Sequence, residues 1–269
     1  MPKATQKTKG RLKKTLADKR DRRPQKIAKA AHKAGDESSD EGEIPPEVRV
    51  NLPSLKHIRA ELRDAKDVNL PVDILLLTAK NYEFIACYMQ LKNPFKCWFD
   101  DVGYVYFGEM GDGDGEKLKV TLLRCHRGSV SPGSSLITVK NAVSVLGPKA
   151  VISLGTCSGL NPETTKLGDV IVSAKLTTYA SKIVASCGEQ STGMRSYVSR
   201  NFLNLIKCAD HGWKAPLKNP EALDINVHCD GEFLSGPELI SAEWRRDELA
   251  KSYPLATAIE MEGEGEVMY

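Results

Sequence analysis

The 269-residue chain has no CxxC pair, and no apolar run approaches the roughly 20 residues that a membrane helix needs. Its seven cysteines, at 87, 97, 125, 157, 187, 208 and 229, are scattered singly. An odd, dispersed set argues against a disulfide framework or a zinc site and for a reducing compartment. No apolar stretch occupies the N-terminus where a signal peptide would need one. No GxGxxG follows the first strand-like run, which counts against a dinucleotide-binding dehydrogenase. These absences lead to the expectation of a soluble protein in the cytoplasm or nucleus, with no membrane partner, no metal and no organic cofactor.

Aromatic residues are also missing from the first 50 positions, and large apolar residues are few there. Such a segment cannot bury enough surface to offset chain entropy, so residues 1–50 are expected to be disordered. Between Lys3 and Lys33 the many Lys and Arg residues are opposed only by Asp18 and Asp21, and an acidic run follows at Asp36–Glu43. The basic stretch fits a nuclear import receptor, a nucleic-acid arm or a plain solvated tail. Without aromatics among the cations, base stacking has no support, and nucleic acid is the weaker of the two partners. Residues 51–69 read as a linker, and residues 70–269 as the folded domain.

What the domain has is alternation. VDILLLTA (72–79) is a short continuous apolar run, the pattern of a buried parallel strand, and NYEFIACYMQL (81–91) reads as a helix. KLKVTLLRC (117–125) is a second strand, with Tyr104–Phe107 expected to pair with it across a Gly/Asp turn. The stretch 131–147 carries helix signals, Ser131 as N-cap, Pro132 at the first position and Gly147 as the stop. Further strands are expected at 149–155, 167–174 and 255–262, and helices at 200–212 and 237–252. This predicts an α/β fold with a mixed, mostly parallel central sheet flanked by helices.

In such sheets ligands sit beyond the carboxyl ends of the strands. That rule singles out Glu83, Gly155–Gly159 and Glu260–Glu262. Gly155, Thr156 and Ser158 in SLGTCSGL can bring backbone N–H groups and hydroxyls close to an oxygen-rich ligand, or can simply make a tight turn. Strand alternation would put Glu260 and Glu262 on one side with Met261 opposite. A buried carboxylate there needs donors, and ribose hydroxyls would serve; the alternative is an acidic helix start. Glu83 could favour a helix N-terminus or orient a water. His126, Arg127 and Ser129 lie at a strand end and suit an anion, although Arg127 could equally be a surface cation.

Together DILLLTAKNYE, CHRG, AVISLGTCSGLNPETTKLGDVIVS, FLSGPELI and ATAIEMEG resemble the purine nucleoside phosphorylase/nucleosidase superfamily over residues 72–265. The resemblance implies cleavage of the N-glycosidic bond of a purine nucleoside or nucleotide. Met261 and Glu262 would hold the ribose, with Glu260 beside them, and Thr156 and Ser158 would line the ribose or anion side. Leu239 and Ile240 would frame the base, Leu239 standing where relatives often have an aromatic ring. Glu83 matches the water-activating glutamate of the hydrolytic branch. Ser153 stands where phosphorolytic members commonly carry an arginine, which favours hydrolysis over use of free phosphate. A homo-oligomer is implied too. The acid that relatives keep in an S-D segment about twenty residues past EMEG has no counterpart, so the domain is expected to be incomplete at its C-terminus. A phosphate-dependent phosphorylase and a non-catalytic ligand-binding or scaffold domain remain the alternatives.

Overall fold

The run Ile74–Thr78 forms the strand around which the first sheet is built, and its middle leucines are among the most buried residues of the chain. The computed structural model describes residues 46–267, apart from 112–114, 130–132 and 187. All of them belong to one compact unit, Pro46–Tyr269. The charged stretch ahead of residue 46 lies outside the described residues.

In chain order the strands are β1 (Glu61–Leu62), β2 (Ile74–Thr78), β3 (Lys92–Phe99), β4 (Gly103–Met110), β5 (Leu118–Arg124), β6 (Ala150–Ser153), β7 (Ser158–Gly159), β8 (Val170–Thr178), β9 (Lys182–Ala185), β10 (Gly188–Ser191), β11 (Arg195–Tyr197), β12 (Val227–Ser235) and β13 (Ala258–Glu260). The helices are α1 (Asn81–Tyr88), α2 (Ser135–Leu146), α3 (Arg200–Ile206), α4 (Glu243–Ser252) and α5 (Glu264–Val267). One six-stranded sheet runs β1-β3-β4-β5-β2-β6, and a five-stranded sheet runs β11-β8-β12-β13-β7. β9 and β10 form a separate antiparallel pair.

The expected mixed α/β architecture with flanking helices is what forms. Its strands divide between two sheets where a single central one was expected. Each contains a parallel run of three strands: β5, β2 and β6 at one end of the first, β8, β12 and β13 in the middle of the second. The first sheet is packed by Leu75, Leu77, Leu123 and Leu146 on one side and by Leu76, Leu122 and Phe84 on the other. Each such side chain contributes about 1.5–3 kcal/mol by leaving water.

Boundaries moved for local reasons. α2 begins at Ser135 behind Ser134, while Ser131 and Pro132 lie outside the described residues; Gly147, at φ 57°, ends the helix as expected. α4 starts at Glu243, because Pro237 and its neighbours run without regular structure as far as Ala242. β13 stops at Glu260, since Glu260 itself accepts the N–H groups of Glu262 and Gly263 that a longer strand would have offered its neighbours. β3 and β12 were not read from the sequence. Residues 51–69, expected as a linker, contribute β1, which pairs with β3, and pack Leu55, Ile58 and Val68 against the core. The disordered segment was also expected to reach residue 50, but Val48 bridges Leu217 and the Arg49 guanidinium donates to the Leu217 carbonyl at 2.7 Å. Among the described residues no helix is long and apolar enough to cross a membrane.

Candidate active site

The parallel strands of the first sheet deliver three loops to one edge. β2 leads into Ala79–Asn81, β5 into Cys125–Ser129, and β6 into the glycine turn Gly155–Ser158. The backbone links them: the Cys125 N–H donates to the Thr78 carbonyl at 2.9 Å, and the Leu154 N–H donates to the Leu77 carbonyl at 2.8 Å.

Glu83 joins the first loop to the third. Its side chain is buried in the first turn of α1. Oε2 accepts from the N–H groups of Ala79 at 3.1 Å and Lys80 at 2.8 Å, and Oε1 accepts from the Thr156 N–H at 3.1 Å. A carboxylate offers about four lone-pair directions, so three of them are occupied and room remains for a single further donor. Glu83 thus caps the start of α1 and also faces the glycine turn.

Two groups unforeseen in the sequence complete this corner. The Lys80 ammonium donates to the Thr156 hydroxyl and lies 3.9 Å from Glu83 Oε1. The Tyr82 hydroxyl is 3.4 Å from the same Thr156 oxygen. On the neighbouring strand end the Arg124 guanidinium donates to Asn81 Oδ1. Their signal was position alone, since each sits at or just past the carboxyl end of a strand, where polar side chains cannot be buried in the sheet.

The second sheet brings Met261 and Glu262 in through the turn after β13. Glu262 Oε1 accepts the Gly128 N–H at 3.1 Å, which places this carboxylate against the loop after β5. A seam of buried serines fastens the turn. Ser135 Oγ donates to the Glu262 carbonyl at 2.5 Å, Ser129 Oγ donates to Glu264 Oε2 at 3.3 Å, and Ser235 Oγ accepts the Glu264 N–H at 2.8 Å. Ser129, expected beside an anion, is instead fully buried in this seam. Glu262, Gly128 and the start of α2 form one polar unit, so the two sheets meet at the site through hydrogen bonds.

Glu260 was expected on the same side as Glu262. It lies instead under the turn, with Oε2 accepting from the Glu262 N–H at 2.7 Å and the Gly263 N–H at 2.8 Å. Burial raises its carboxyl above the ordinary glutamate range, opposed by the Ser235 hydroxyl and by these two N–H groups.

The other expected residues are spread more loosely. Arg127, Thr156 and Ser158 are exposed, and Ser158 pairs with Ile259 through the short β7. Met261 is partly buried. Ile240 packs partly against the core of the second sheet, whereas Leu239 is 83% exposed. Among the described residues no three His, Cys, Asp or Glu side chains gather as a metal would require.

The chain matches the profile of the Phosphorylase superfamily over residues 97–268, more than half its length. A death domain-containing ATP nucleosidase from Amphimedon queenslandica is 28% identical over 137 residues, which is 46% of this chain and 26% of that protein. The chain thus spans about a quarter of the curated relative it matches. The S-adenosylhomocysteine nucleosidase of Streptococcus pyogenes, solved with 5-methylthiotubericidin, superposes with a TM-score of 0.56 at 18% identity, covering 72% of this chain and 75% of that one. The 5′-methylthioadenosine/S-adenosylhomocysteine nucleosidase of Neisseria meningitidis, solved with methylthio-immucillin-A, gives 0.57 at 17% identity, covering 73% and 78%. At that identity these structures speak for the fold, and the profile speaks for the lineage. With the profile matched over more than half its length, the chain belongs to the phosphorylase superfamily.

Proposed function

We propose that this domain hydrolyses the N-glycosidic bond of a purine nucleoside or nucleotide, releasing the free base. The observation that carries the reading is the placement of two carboxylates: Glu83 at the glycine turn through the Thr156 N–H, and Glu262 at the loop after β5 through the Gly128 N–H. In the proposed mechanism the ribose hydroxyls donate to Glu262 while the sugar develops oxocarbenium character, as in glycoside hydrolysis. Glu83 uses its remaining lone pair to orient the attacking water, and Lys80 and Thr156 bound the niche in which that water sits. Met261 supports the sugar, and Ile240 borders the base. Ser153 at the end of β6 supplies no cation for free phosphate, which favours water as the nucleophile. The ATP nucleosidase relative keeps a nucleotide within the substrate class, and Arg127, with Arg124 near it, would face its anionic end. A homo-oligomer, as the family resemblance implies, can be checked by light scattering.

The test is release of adenine, hypoxanthine or guanine from a nucleoside and nucleotide panel, with and without phosphate. Base release in the absence of phosphate is expected. Release that strictly requires phosphate would make the domain a phosphorylase, and silence across the panel would favour a ligand-binding scaffold. Glu83→Gln should lower kcat by about 100-fold, the usual order for loss of one acid–base or positioning group, while substrate affinity stays nearly unchanged. Equal losses in kcat and affinity would reduce Glu83 to a structural cap.

A further inference from the structure

We propose that Glu260 is a positioning residue, whose buried carboxylate fixes the Met261–Gly263 turn so that Glu262 can receive the two ribose hydroxyls. The inference rests on the ribose role proposed for Glu262 and assigns Glu260 a different task.

Three observations support it. First, Glu260 Oε2 accepts both backbone N–H groups of the turn, those of Glu262 and Gly263. These are the amides whose directions decide where the Glu262 side chain leaves the chain. Second, Glu260 Oε1 is buried and has no hydrogen-bond partner among the described residues. An oxygen sealed from solvent under the turn is badly placed to meet an incoming sugar. Third, Gly263 has no room for a side chain: a Cβ there would lie 2.7 Å from Glu260 Oε1 and 2.4 Å from Leu176 Cδ1. Carboxylate, turn and β8 are therefore packed as one piece, closed from the far side by the Ser135 bond to the Glu262 carbonyl. Glu262 needs only the single Gly128 N–H to complete its orientation, because its backbone is already held at both amides of the turn.

The test measures binding of three probes to the full chain: 7-deazaadenosine, which lacks the N7 that leaving-group protonation needs, its 2′,3′-dideoxy analogue, and free adenine. Wild-type protein should prefer the ribonucleoside to the dideoxy analogue. Glu260→Ala should cut that preference by about tenfold or more, the scale of losing one hydrogen bond to a charged group, without weakening adenine binding. Glu260→Gln, whose amide oxygen can still accept both N–H groups, should keep the preference within about twofold. If Glu260→Ala fails to fold, Glu260→Asp replaces it: one methylene shorter, it cannot reach both amides and should lose the preference too.

An unchanged preference in a folded Ala or Asp variant would overturn the inference. So would a loss in Glu260→Gln as large as in Glu260→Ala, since that would make the Glu260 charge itself a ribose contact. A wild-type protein that does not distinguish the two nucleosides would sink the ribose reading of Glu262, and this inference with it.

Discussion

The two large sheets solve the same packing problem with different chemistry. The first is filled by leucine, valine and phenylalanine on both faces. The second buries charge. On β8 and β12 the Lys175 ammonium meets Glu232 Oε2 at 2.6 Å, and Thr177 Oγ1 donates to Glu232 Oε1 at 2.9 Å. At the opposite end of the same strands, Asp169 meets His228 Nε2 at 2.9 Å and accepts the N–H groups of Lys166 and Asn226. An apolar sheet tolerates any side chain of suitable volume. A sheet with buried ion pairs tolerates few single changes but can accept a coordinated one. Removal of one partner and removal of both should therefore have opposite consequences.

Glu232→Ala is expected to have the largest effect, about 3–5 kcal/mol of destabilisation in urea unfolding, because Lys175 is left as an uncompensated, mostly buried charge. The double change Lys175→Met with Glu232→Leu should recover most of that loss. If the double variant is as unstable as the single one, the pair is more than a space-filling device. Leu77→Ala in the first sheet should follow at about 2–5 kcal/mol, from lost burial and the cavity left behind, and no neighbouring substitution of different polarity should rescue it.

Asp169→Asn should have a smaller effect with a distinctive pH dependence. Burial works against ionisation of Asp169, but the His228 hydrogen bond, the Lys166 and Asn226 N–H groups and the His228 charge outweigh it and hold the carboxyl below its ordinary value. A depressed carboxyl contributes stability above its unfolded pKa, near 4, and loses it as pH falls through the folded value. Wild-type protein should accordingly weaken below about pH 4 more steeply than Asp169→Asn. Parallel acid-unfolding curves would mean that Asp169 contributes no pH-linked stability. Glu260 has the opposite sign: its raised carboxyl makes stability fall as pH rises through the folded value, so Glu260→Gln should be relatively more stable at neutral pH than in acid.

The same contrast explains which parts of the fold were legible in the sequence. ILLLT and KVTLL announce themselves because both faces of those strands are apolar, and Gly147 marks a helix stop whose left-handed φ favours glycine. β12 reads VHCDGEFLS, with Asp230, Gly231 and Glu232 in its middle and register shifts on either side of Gly231. Glu232 finds its partners on β8, 55 or more residues earlier in the chain, so nothing local identifies β12 as an interior strand. The candidate site divides likewise. Glu83 and Glu262 could be named from their positions at strand ends. The burial of Glu260 could not, because strand alternation holds only while the strand continues, and here the side chain itself ends the strand. Lys80 became visible only once β6 had placed Thr156 beside it.

The smallest effect is expected at Leu239, in the one candidate segment that neither sheet encloses. Residues 236–242 run without regular structure between β12 and α4, and Leu239 turns its side chain almost wholly to solvent. A residue that touches so little contributes little to stability, so Leu239→Ala should shift unfolding by no more than about 0.5 kcal/mol. The role at the base that the family resemblance implies for Leu239 gives the substitution a second readout, because Leu239→Trp would offer a purine a stacking surface worth about 0.5–1.5 kcal/mol beyond its area. If the segment closes over the base during binding, Leu239→Trp should tighten adenine several-fold while Leu239→Ala loosens it. If both variants bind adenine as wild type does, Leu239 lies outside the base pocket. Ile240, which already packs against the second sheet, would then be the residue of this segment that meets the purine.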